Sequence, residues 1–263
     1  MNDQMKSTEK KQTIKEIKEQ LKSQIPLSDN ELNILKQDKR KGVQTALKQY
    51  EKRLLKEKLL KEKYRDMQTY EQACRAEGNV YIAGIDEVGR GPLAGPVVSA
   101  AVILPEEPDL LGINDSKKLS EKERESWFLR IKNVALAINY SVVSPETIDQ
   151  LNIYEATRVS MKEAVEGLNR EPDCLLVDAM HIDSSIPQVK IIKGDAKSIS
   201  IAAASIVAKV IRDNIMKKLA RDYPEYGFEE NAGYGTKKHL ESLKIYGVTP
   251  IHRKSYRPVK ERL

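Results

Sequence analysis

The sequence predicts an α/β fold, a mixed sheet flanked by helices, that follows an α-helical N-terminal extension. Two observations predict it. Before about residue 77, apolar residues recur at helical spacing among many Lys and Glu residues, whereas from residue 80 short apolar runs alternate with turns and then with helical segments. We therefore expect a helical, basic extension over residues 1–77 and an α/β domain over residues 78–263 that ends in a helical and basic C-terminal segment.

The extension shows signals for the starts and ends of helices. Two segments have the form of a capping box, and a proline and a glycine mark breaks: Thr13-x-x-Glu16, Ser28-x-x-Glu31, Pro26 and Gly42. Residues 44–76 are dense in Lys, Glu and Leu and predict one long helix. The junction with the main domain is expected at residues 77–79.

The main domain begins with strands and continues with alternating helices and strands. Strands are predicted at 80–85, 96–104, 134–143, 174–177 and 189–192, the first three as an antiparallel meander. Helices are predicted at 144–151, 154–168 and 198–220. Ser144 is the expected cap of the first of these helices, with Pro145 at its first position.

Charge is unevenly distributed along the chain. The net charge is +6, and residues 1–79 carry all of it, with 19 Lys and Arg against 13 Asp and Glu. This bias fits a polyanionic partner, and a solvated helical face would show it equally. The two cysteines, Cys74 and Cys174, argue against a disulfide scaffold or a zinc site and favour a reducing compartment. The polar N-terminus and the lack of long apolar runs place the protein in the cytoplasm.

Four acids lie at or just past the ends of predicted strands: Asp86, Glu87, Asp178 and Asp195. Ligands collect at strand ends in α/β sheets, and converging carboxylates repel one another unless a cation is bound. Carboxylates favour Mg²⁺ or Mn²⁺ over zinc, and two such ions suit phosphoryl displacement. Any one of these acids alone would be read as a surface or cap residue. The adjacent pair together with two further strand-end acids favours a metal site.

A metal-free ribonuclease would use side-chain acids and bases, often histidine. The histidines, His181, His239 and His252, show no comparable constellation, and we interpret them as structural. His239 follows Gly-Tyr-Gly-Thr, which leaves a site role open for it.

The glycine turn after the first strand allows two interpretations. Gly89-Arg90-Gly91-Pro92-Leu93-Ala94 formally fits the dinucleotide-binding pattern, but that pattern must open a helix, and here Pro96 and a β-branched run follow. The glycines are better explained as a close backbone approach to a sugar–phosphate, where Arg90 supplies charge. Backbone groups at this distance could read a 2′-hydroxyl, which distinguishes RNA from DNA.

These residues resemble the type 2 ribonuclease H family, the bacterial ribonuclease HII. The resemblance covers residues 80–258 in family order and rests on six motifs: the run from Gly84 to Gly95, Asp115-Ser-Lys-Lys-Leu-Ser120, Leu-Val-Asp178-Ala, Lys-Gly-Asp195-Ala-Lys-Ser, Ala-Ala-Ala-Ser-Ile-Val-Ala-Lys209-Val-Ile-Arg-Asp213 and Gly233-Tyr234-Gly235-Thr236. It implies a five-stranded mixed sheet similar to that of ribonuclease H. It also implies endonucleolytic cleavage of RNA in RNA/DNA hybrids and on the 5′ side of single ribonucleotides in duplex DNA, leaving 3′-hydroxyl and 5′-phosphate ends.

The resemblance also implies roles for individual residues. The catalytic, metal-binding acids of the family correspond to Asp86, Glu87, Asp178 and Asp195, which would hold two Mg²⁺ or Mn²⁺ ions; Asp213 is the competing candidate for the fourth. The motif that senses the 2′-hydroxyl corresponds to Gly89, Arg90 and Gly91, and the tyrosine that packs on the sugar corresponds to Tyr234. Lys117 and Lys118 are candidate phosphate contacts. The expected partners are RNA/DNA hybrids and ribonucleotide-containing DNA, bound by a monomer.

Alternatives come from the same class of enzyme and from outside it. The related ribonuclease HIII would use its N-terminal region as a sheet-based binding platform. The helical pattern of residues 1–77 argues against this alternative. A non-catalytic hybrid-binding module would need none of the four acids. The shortest family members lack a segment like residues 1–77, although some bacterial members carry an N-terminal extension of similar length. We expect this segment to strengthen duplex binding electrostatically or, alternatively, to brace the domain. The basic C-terminal segment from His252 to Arg262 is expected near the nucleic acid.

Overall fold

The computed structural model describes residues 12–23, 25 and 27–263. The break predicted at Pro26 lies outside the described residues. The chain forms two compact units, of which the first ends at Glu62 and the second is Lys63–Leu263. The predicted boundary between residues 77 and 78 stays a prediction. Within the described ranges, no helix is long and apolar enough to cross a membrane.

The first unit is helical, as predicted. It contains α1 (Ile14–Lys22), α2 (Asp29–Gln37) and most of α3 (Lys41–Asp66). Thr13 and Ser28 cap α1 and α2, and both capping boxes are complete. The core of this unit is made of residues from all three helices: Ile17, Leu21, Leu35, Val43, Ala46, Leu47 and Tyr50.

The break predicted at Gly42 is wrong, because Gly42 lies in the first turn of α3. A Cβ atom there would lie 3.0 Å from Ile14 Cγ2, so glycine allows α1 to approach α3 closely. The chain instead leaves α2 at Asp38, whose carboxylate holds the Arg40 guanidinium at 2.6 Å.

The second unit contains the last residues of α3 and thirteen further α-helices and β-strands. They are α4 (Thr69–Ala76), β1 (Ile82–Val88), β2 (Val97–Ile103), α5 (Glu121–Val134), β3 (Ala137–Val143), α6 (Pro145–Leu151), α7 (Ile153–Glu166), β4 (Cys174–Asp178), β5 (Gln188–Ile191), α8 (Ile199–Asp222), α9 (Phe228–Asn231), α10 (Lys237–Tyr246) and α11 (Arg257–Lys260). Ser144 caps α6 with Pro145 at its start, as predicted.

The sheet is mixed and five-stranded, which confirms the predicted fold class. Its strand order is β3-β2-β1-β4-β5. The strand pairs β1–β2 and β2–β3 are antiparallel, whereas β1–β4 and β4–β5 are parallel. β1 therefore lies at the centre, antiparallel to one neighbour and parallel to the other, so its carboxyl end meets the carboxyl end of β4.

Helices cover both faces of the sheet. On β2, Val98, Ala100 and Val102 pack with α8 and α5, while Ala101 and Ile103 pack on the opposite face with α7. This alternation is the period of two that a strand imposes on its side chains. Both faces of β2 are buried, which explains why its sequence reads as a continuous apolar run.

The long helix predicted at the end of the extension also differs from the structure. Residues 44–76 are not one helix, because α3 ends at Asp66 and α4 begins at Thr69. Met67 lies at the break, where its side chain enters the core and its carbonyl accepts the Ile199 N–H at 3.0 Å. A tertiary contact thus interrupts a sequence of high helical propensity.

Helix α5 was not predicted. Its signals are present, since Ser120 and Glu123 form a complete capping box and Ile131 is buried in the core. The third strand consequently begins at Ala137 rather than at residue 134.

Helix α8 is anchored at its N-terminus by a buried acid from α4. Glu71 Oε1 accepts hydrogen bonds from Ser198 Oγ at 2.6 Å and from the Ser200 N–H at 3.0 Å. Ser198 itself caps α8. A carboxylate at a helix N-terminus is favoured by the unpaired N–H groups and by the helix dipole. Glu71 therefore fixes where α8 begins.

Replacing Glu71 with Ala should lower the free energy of unfolding by about 2–3 kcal/mol, because the buried Ser198 hydroxyl and Ser200 N–H lose a charged acceptor. Denaturant titration measures this. The exposed Glu77, which follows the last residue of the same helix, gives the matched control: Glu77→Ala should change stability by less than about 0.5 kcal/mol. Equal stability of the two variants would show that Glu71 does not anchor α8.

Candidate active site

Asp86 and Asp178 meet because β1 and β4 are parallel and in register. Ile85 pairs with Val177, so the two acids lie one step further along their strands. Both follow the alternation to the side of the sheet that α8 covers. Asp86 is buried, and its Oδ1 accepts the N–H of Glu87 at 2.8 Å. Asp178 Oδ1 accepts the Gly194 N–H at 2.6 Å, which fixes its orientation.

Glu87 follows Asp86 on the same strand, so its Cβ points to the other face. Its carboxylate nevertheless joins the other two: Asp86, Glu87 and Asp178 each offer an oxygen, and these oxygens lie within 4.8 Å of one another. Glu87 is the penultimate residue of β1, and its side chain is one methylene longer than that of aspartate. Both features allow its carboxylate to reach the other two. Arg90 Nη1 lies 3.5 Å from Glu87 Oε1.

The fourth predicted acid is nearby but outside this group of three. Asp195 lies in a short 3-10 turn, Gly194–Ala196, directly before α8, and it is buried. Lys117 Nζ lies 3.5 Å from Asp195 Oδ2. The Gly194 N–H bond to Asp178 links this turn to the group of three, so Asp195 is held at the rim of the same site.

Asp213, the competing fourth acid, is placed differently. It lies on α8 and is paired with two cations, Lys209 Nζ at 2.6 Å and Arg124 Nη2 at 3.5 Å. Among the described residues, it is not part of the acidic group.

Burial and the mutual repulsion of the carboxylates make it unfavourable for the three acids to be ionised together. Burial, with the charges of Glu87 and Asp178 added to it, raises the pKa of Asp86 well above its ordinary value. Burial also raises the pKa of Glu87, although the Arg90 charge opposes the rise, and it raises the pKa of Asp178. Each carboxyl group therefore resists ionisation unless a positive charge is near.

The donor set fits a hard divalent cation. Three carboxylates converge, and Glu87 Oε2 is buried without a hydrogen-bond partner in the described part of the chain. An oxygen that is buried and unbonded is shielded from water, and a cation would compensate for the missing hydration. Oxygen-only ligands favour Mg²⁺ or Mn²⁺. Asp86, Glu87 and Asp178 could therefore hold a metal ion.

The glycine turn lies next to the acids and carries the predicted recognition residues. Gly89 has φ +96° and leaves no room for a side chain, since a Cβ would lie 2.2 Å from Arg212 Nε. β2 follows the turn, so the dinucleotide-binding interpretation fails as predicted. The ring of the exposed Tyr234 lies beside Gly91, with its Cε1 3.5 Å from where a Cβ of Gly91 would be. Lys118 is exposed beside Lys117.

His239 and His252 are buried and form a chain of hydrogen bonds behind Tyr234. The Thr249 N–H lies 3.1 Å from His252 Nδ1, which must therefore accept. The Tyr234 carbonyl lies 2.9 Å from His239 Nδ1, which must therefore donate. The two Nε2 atoms are 3.0 Å apart, so His252 donates to His239. Both rings are neutral in this arrangement, and His239 supports the loop that carries Tyr234.

Sequence reasoning missed two buried arginines, Arg212 and Arg253, which bind main-chain carbonyls around the glycine turn. Arg253 corrects the expectation that the basic C-terminal segment faces nucleic acid, because its side chain is fully buried. No composition signal separates such an arginine from a surface one. The exposed cations of this segment, such as Lys254 and Arg257, leave the expectation untested for the remainder.

Comparisons with known proteins show which family profiles and relatives this chain resembles. The family profile described as Ribonuclease HII matches residues 83–259, and the profile Ribonuclease HII N-terminal domain matches residues 13–75. The ribonuclease HII of Bacillus cytotoxicus is 53% identical over 96% of this chain and 98% of its own length. That of Ligilactobacillus salivarius is 55% identical over the same shares.

Solved structures share the fold of about 70% of this chain. The ribonuclease H2 of Pyrococcus horikoshii is 28% identical, with a TM-score of 0.61, over 69% of this chain and 96% of that chain. A ribonuclease HIII, Bst-RNase HIII, crystallised with Mn²⁺, is 18% identical, with a TM-score of 0.56, over 70% of this chain and 69% of that chain, and at this identity it shows the fold alone.

The histidine chain predicts a titration. Burial and the neighbouring His239 lower the pKa of His252 to about 4, and burial lowers the pKa of His239. The unfolded chain takes up these protons near pH 6.5, so this pair makes the fold less stable as the pH falls from about 6.5 towards 4. The raised carboxyl pKa values act in the opposite direction, so the imidazoles must be followed individually.

NMR of the imidazole nitrogens should show His252 neutral down to about pH 4, with its Nδ1 unprotonated. Protonation of His252 above pH 6 in the folded protein would contradict the chain of hydrogen bonds.

Proposed function

This chain belongs to the ribonuclease HII family, and from that premise we propose how its own residues carry out the reaction. It is a metal-dependent endoribonuclease that cleaves RNA in RNA/DNA hybrids and ribonucleotides embedded in DNA. The observation that carries the residue assignment is the group of three carboxylates that converge next to the Gly89-Arg90-Gly91 turn. This proximity supports a site in which metal chemistry and recognition of the sugar occur side by side.

The acids would hold the metal. Asp86, Glu87 and Asp178 supply the converging oxygens, and Asp195 adds a fourth carboxylate at the rim. When bound, two Mg²⁺ or Mn²⁺ ions supply an activated water and stabilise the leaving oxygen. The Gly194 N–H keeps Asp178 in one orientation, and Lys117 offsets the charge of Asp195 and lies where a backbone phosphate could be held.

The turn would select the nucleotide. Gly89, Arg90 and Gly91 would bring backbone groups close enough to a sugar to test for a 2′-hydroxyl. The ring of Tyr234 lies beside Gly91 and would offer an aromatic face to that sugar. Since the acids precede the turn directly, the bond to be cut lies next to the ribose that is recognised. Cleavage on the 5′ side would leave 3′-hydroxyl and 5′-phosphate ends and start the removal of a ribonucleotide from DNA.

Asp86→Asn and Asp178→Asn should each lower the rate of nicking at a single ribonucleotide in a DNA duplex by at least about a hundredfold, because each removes a charged metal ligand. The assay uses Mg²⁺ or Mn²⁺ and follows the nick by gel electrophoresis. Full activity of either variant would overturn the assignment of the metal site, and no nick by the wild type would overturn the proposed substrate.

Two controls separate chemistry from folding. In the absence of metal, Asp86→Asn should be at least as stable as the wild type, because it removes one of three repelling carboxylates. Asp222→Asn, at the exposed end of α8, changes a carboxylate outside the site and should leave the nicking rate unchanged.

The helical extension would strengthen duplex binding. Its excess of basic residues supports this role, and α3 presents Lys48, Lys52 and Lys56 as exposed residues at intervals of four, which places them along one helix face. The functional boundary proposed at residue 77 need not match the boundary of the compact units. Met67 and Glu71 belong to the second unit, so a deletion intended to test the extension should not pass Glu62.

Replacing Lys48, Lys52 and Lys56 together with Gln should weaken duplex binding at low salt. It should also flatten the dependence of log K on log salt by about 0.9 for each phosphate that the lysines no longer neutralise. Fluorescence anisotropy with a labelled RNA/DNA hybrid measures both effects. The matched control replaces the same three lysines with Arg and keeps the charge. If the Gln variant retained the affinity and slope of the wild type, the lysine face would not contact the duplex.

A further inference from the structure

Arg253 is a buried cation that binds almost exclusively the main chain. Its Nη2 donates to the Gly89 carbonyl at 2.5 Å and to the Gly95 carbonyl at 2.9 Å, and its Nη1 donates to the Arg90 carbonyl at 2.9 Å. Within the described part of the chain, no ion pair with a carboxylate involves it. A buried charge is costly unless it is fully bonded, so its position points to a requirement for those particular carbonyls.

Tyr256 also binds the turn. Its hydroxyl donates to the Arg90 carbonyl at 2.5 Å and accepts from Arg253 Nη1 at 3.1 Å. The guanidinium lies over the Tyr256 ring, 5.2 Å from the centroid. The Arg90 carbonyl thus accepts two hydrogen bonds, one from each side chain, and the peptide group that follows it has little freedom to rotate.

The direction of these carbonyls determines the direction of the neighbouring donors. In a trans peptide the C=O of one residue and the N–H of the next point in opposite directions. Because the Gly89 and Arg90 carbonyls point inward to Arg253 and Tyr256, the N–H groups of Arg90 and Gly91 point outward. In the described structure neither N–H has a hydrogen-bond partner, and Gly91 is exposed beside the Tyr234 ring.

The same C-terminal segment also supports Tyr234. His252, which precedes Arg253, reaches the Tyr234 carbonyl through His239, and the Arg253 N–H donates to the Leu93 carbonyl at 2.8 Å. Residues 252–256 are therefore bonded behind both elements that would recognise the ribose, the glycine turn and the tyrosine.

We propose that Arg253 and Tyr256 are positioning residues that aim the Arg90 and Gly91 N–H groups at the 2′-oxygen of the ribonucleotide. They touch neither the substrate nor the metal and act through two carbonyls. This inference rests on the proposed function, in which the glycine turn reads the 2′-hydroxyl. It assigns specificity for ribose to a segment that lies more than 160 positions away from the turn along the chain.

A comparison of two binding affinities tests this proposal. The probes are a DNA duplex with one ribonucleotide and the all-DNA duplex of the same sequence, each titrated with EDTA present so that no cleavage occurs. The ratio of the two affinities measures recognition of the 2′-hydroxyl. Tyr256→Phe keeps the ring and removes one hydrogen bond to the Arg90 carbonyl. It should lower the ratio by about threefold to tenfold and leave binding of the all-DNA duplex unchanged.

Tyr154→Phe, which removes a hydroxyl from an exposed tyrosine on α7, is the matched control and should keep the wild-type ratio. Arg253→Lys keeps the positive charge but loses the planar guanidinium that donates to several carbonyls at once. It should lower the affinity ratio further than Tyr256→Phe does. A wild-type ratio of one would reject the proposed role of the turn itself. If the wild type prefers the ribonucleotide-containing duplex and Tyr256→Phe keeps that preference in full, this inference alone is rejected. Both duplexes bind the same folded protein, so a partial loss of folding weakens both affinities equally and leaves their ratio unchanged.

Discussion

The close approach of α8 to β1 at Gly84 is the constraint on which the rest of the second unit depends. A Cβ at Gly84 would lie 2.1 Å from the Ser200 carbonyl carbon, so any side chain would force the helix away from the strand. Asp86 lies two residues further on β1 and faces the same side. Asp195 lies in the turn that leads into α8. The distance between helix and strand therefore sets the distance between these two acids, and the Glu71 anchor sets where along the strand the helix begins.

This packing brings like charges together in a place with little water. The parallel register of β1 and β4 places Asp86 beside Asp178, and burial keeps solvent from screening them. Arg90 and Lys117 compensate in part, each from the rim and each at 3.5 Å from one acid. Repulsion between the carboxylates makes this site unfavourable without a cation, and a bound cation would relieve it. Such an arrangement is expected of a metal-dependent enzyme, in which local electrostatic destabilisation is found at the functional site.

The sequence predicts this fold well where the signal is local. Period-two and continuous apolar runs located all five strands, and capping boxes located the starts of α1 and α2. The same box at Ser120 would have located α5. The break at Met67 could not be predicted, because its cause is a hydrogen bond to Ile199, which lies 132 positions later in the chain. The acids were found from their strand ends, but the separation of Asp195 from the group of three depends on a turn that no local pattern describes.

Buried arginines hold the glycine-rich loop for which we propose a role in recognition. Glycines widen the conformations open to a chain, which would blur the direction of any donor the loop presents. Here Arg212 binds the carbonyls of Ala94 and Pro96, and Arg253 binds those of Gly89, Arg90 and Gly95. Most carbonyls of the loop are thus held from behind. The glycines then provide close approach to the arginines and to a ligand, while the cations remove the freedom that glycine would otherwise give.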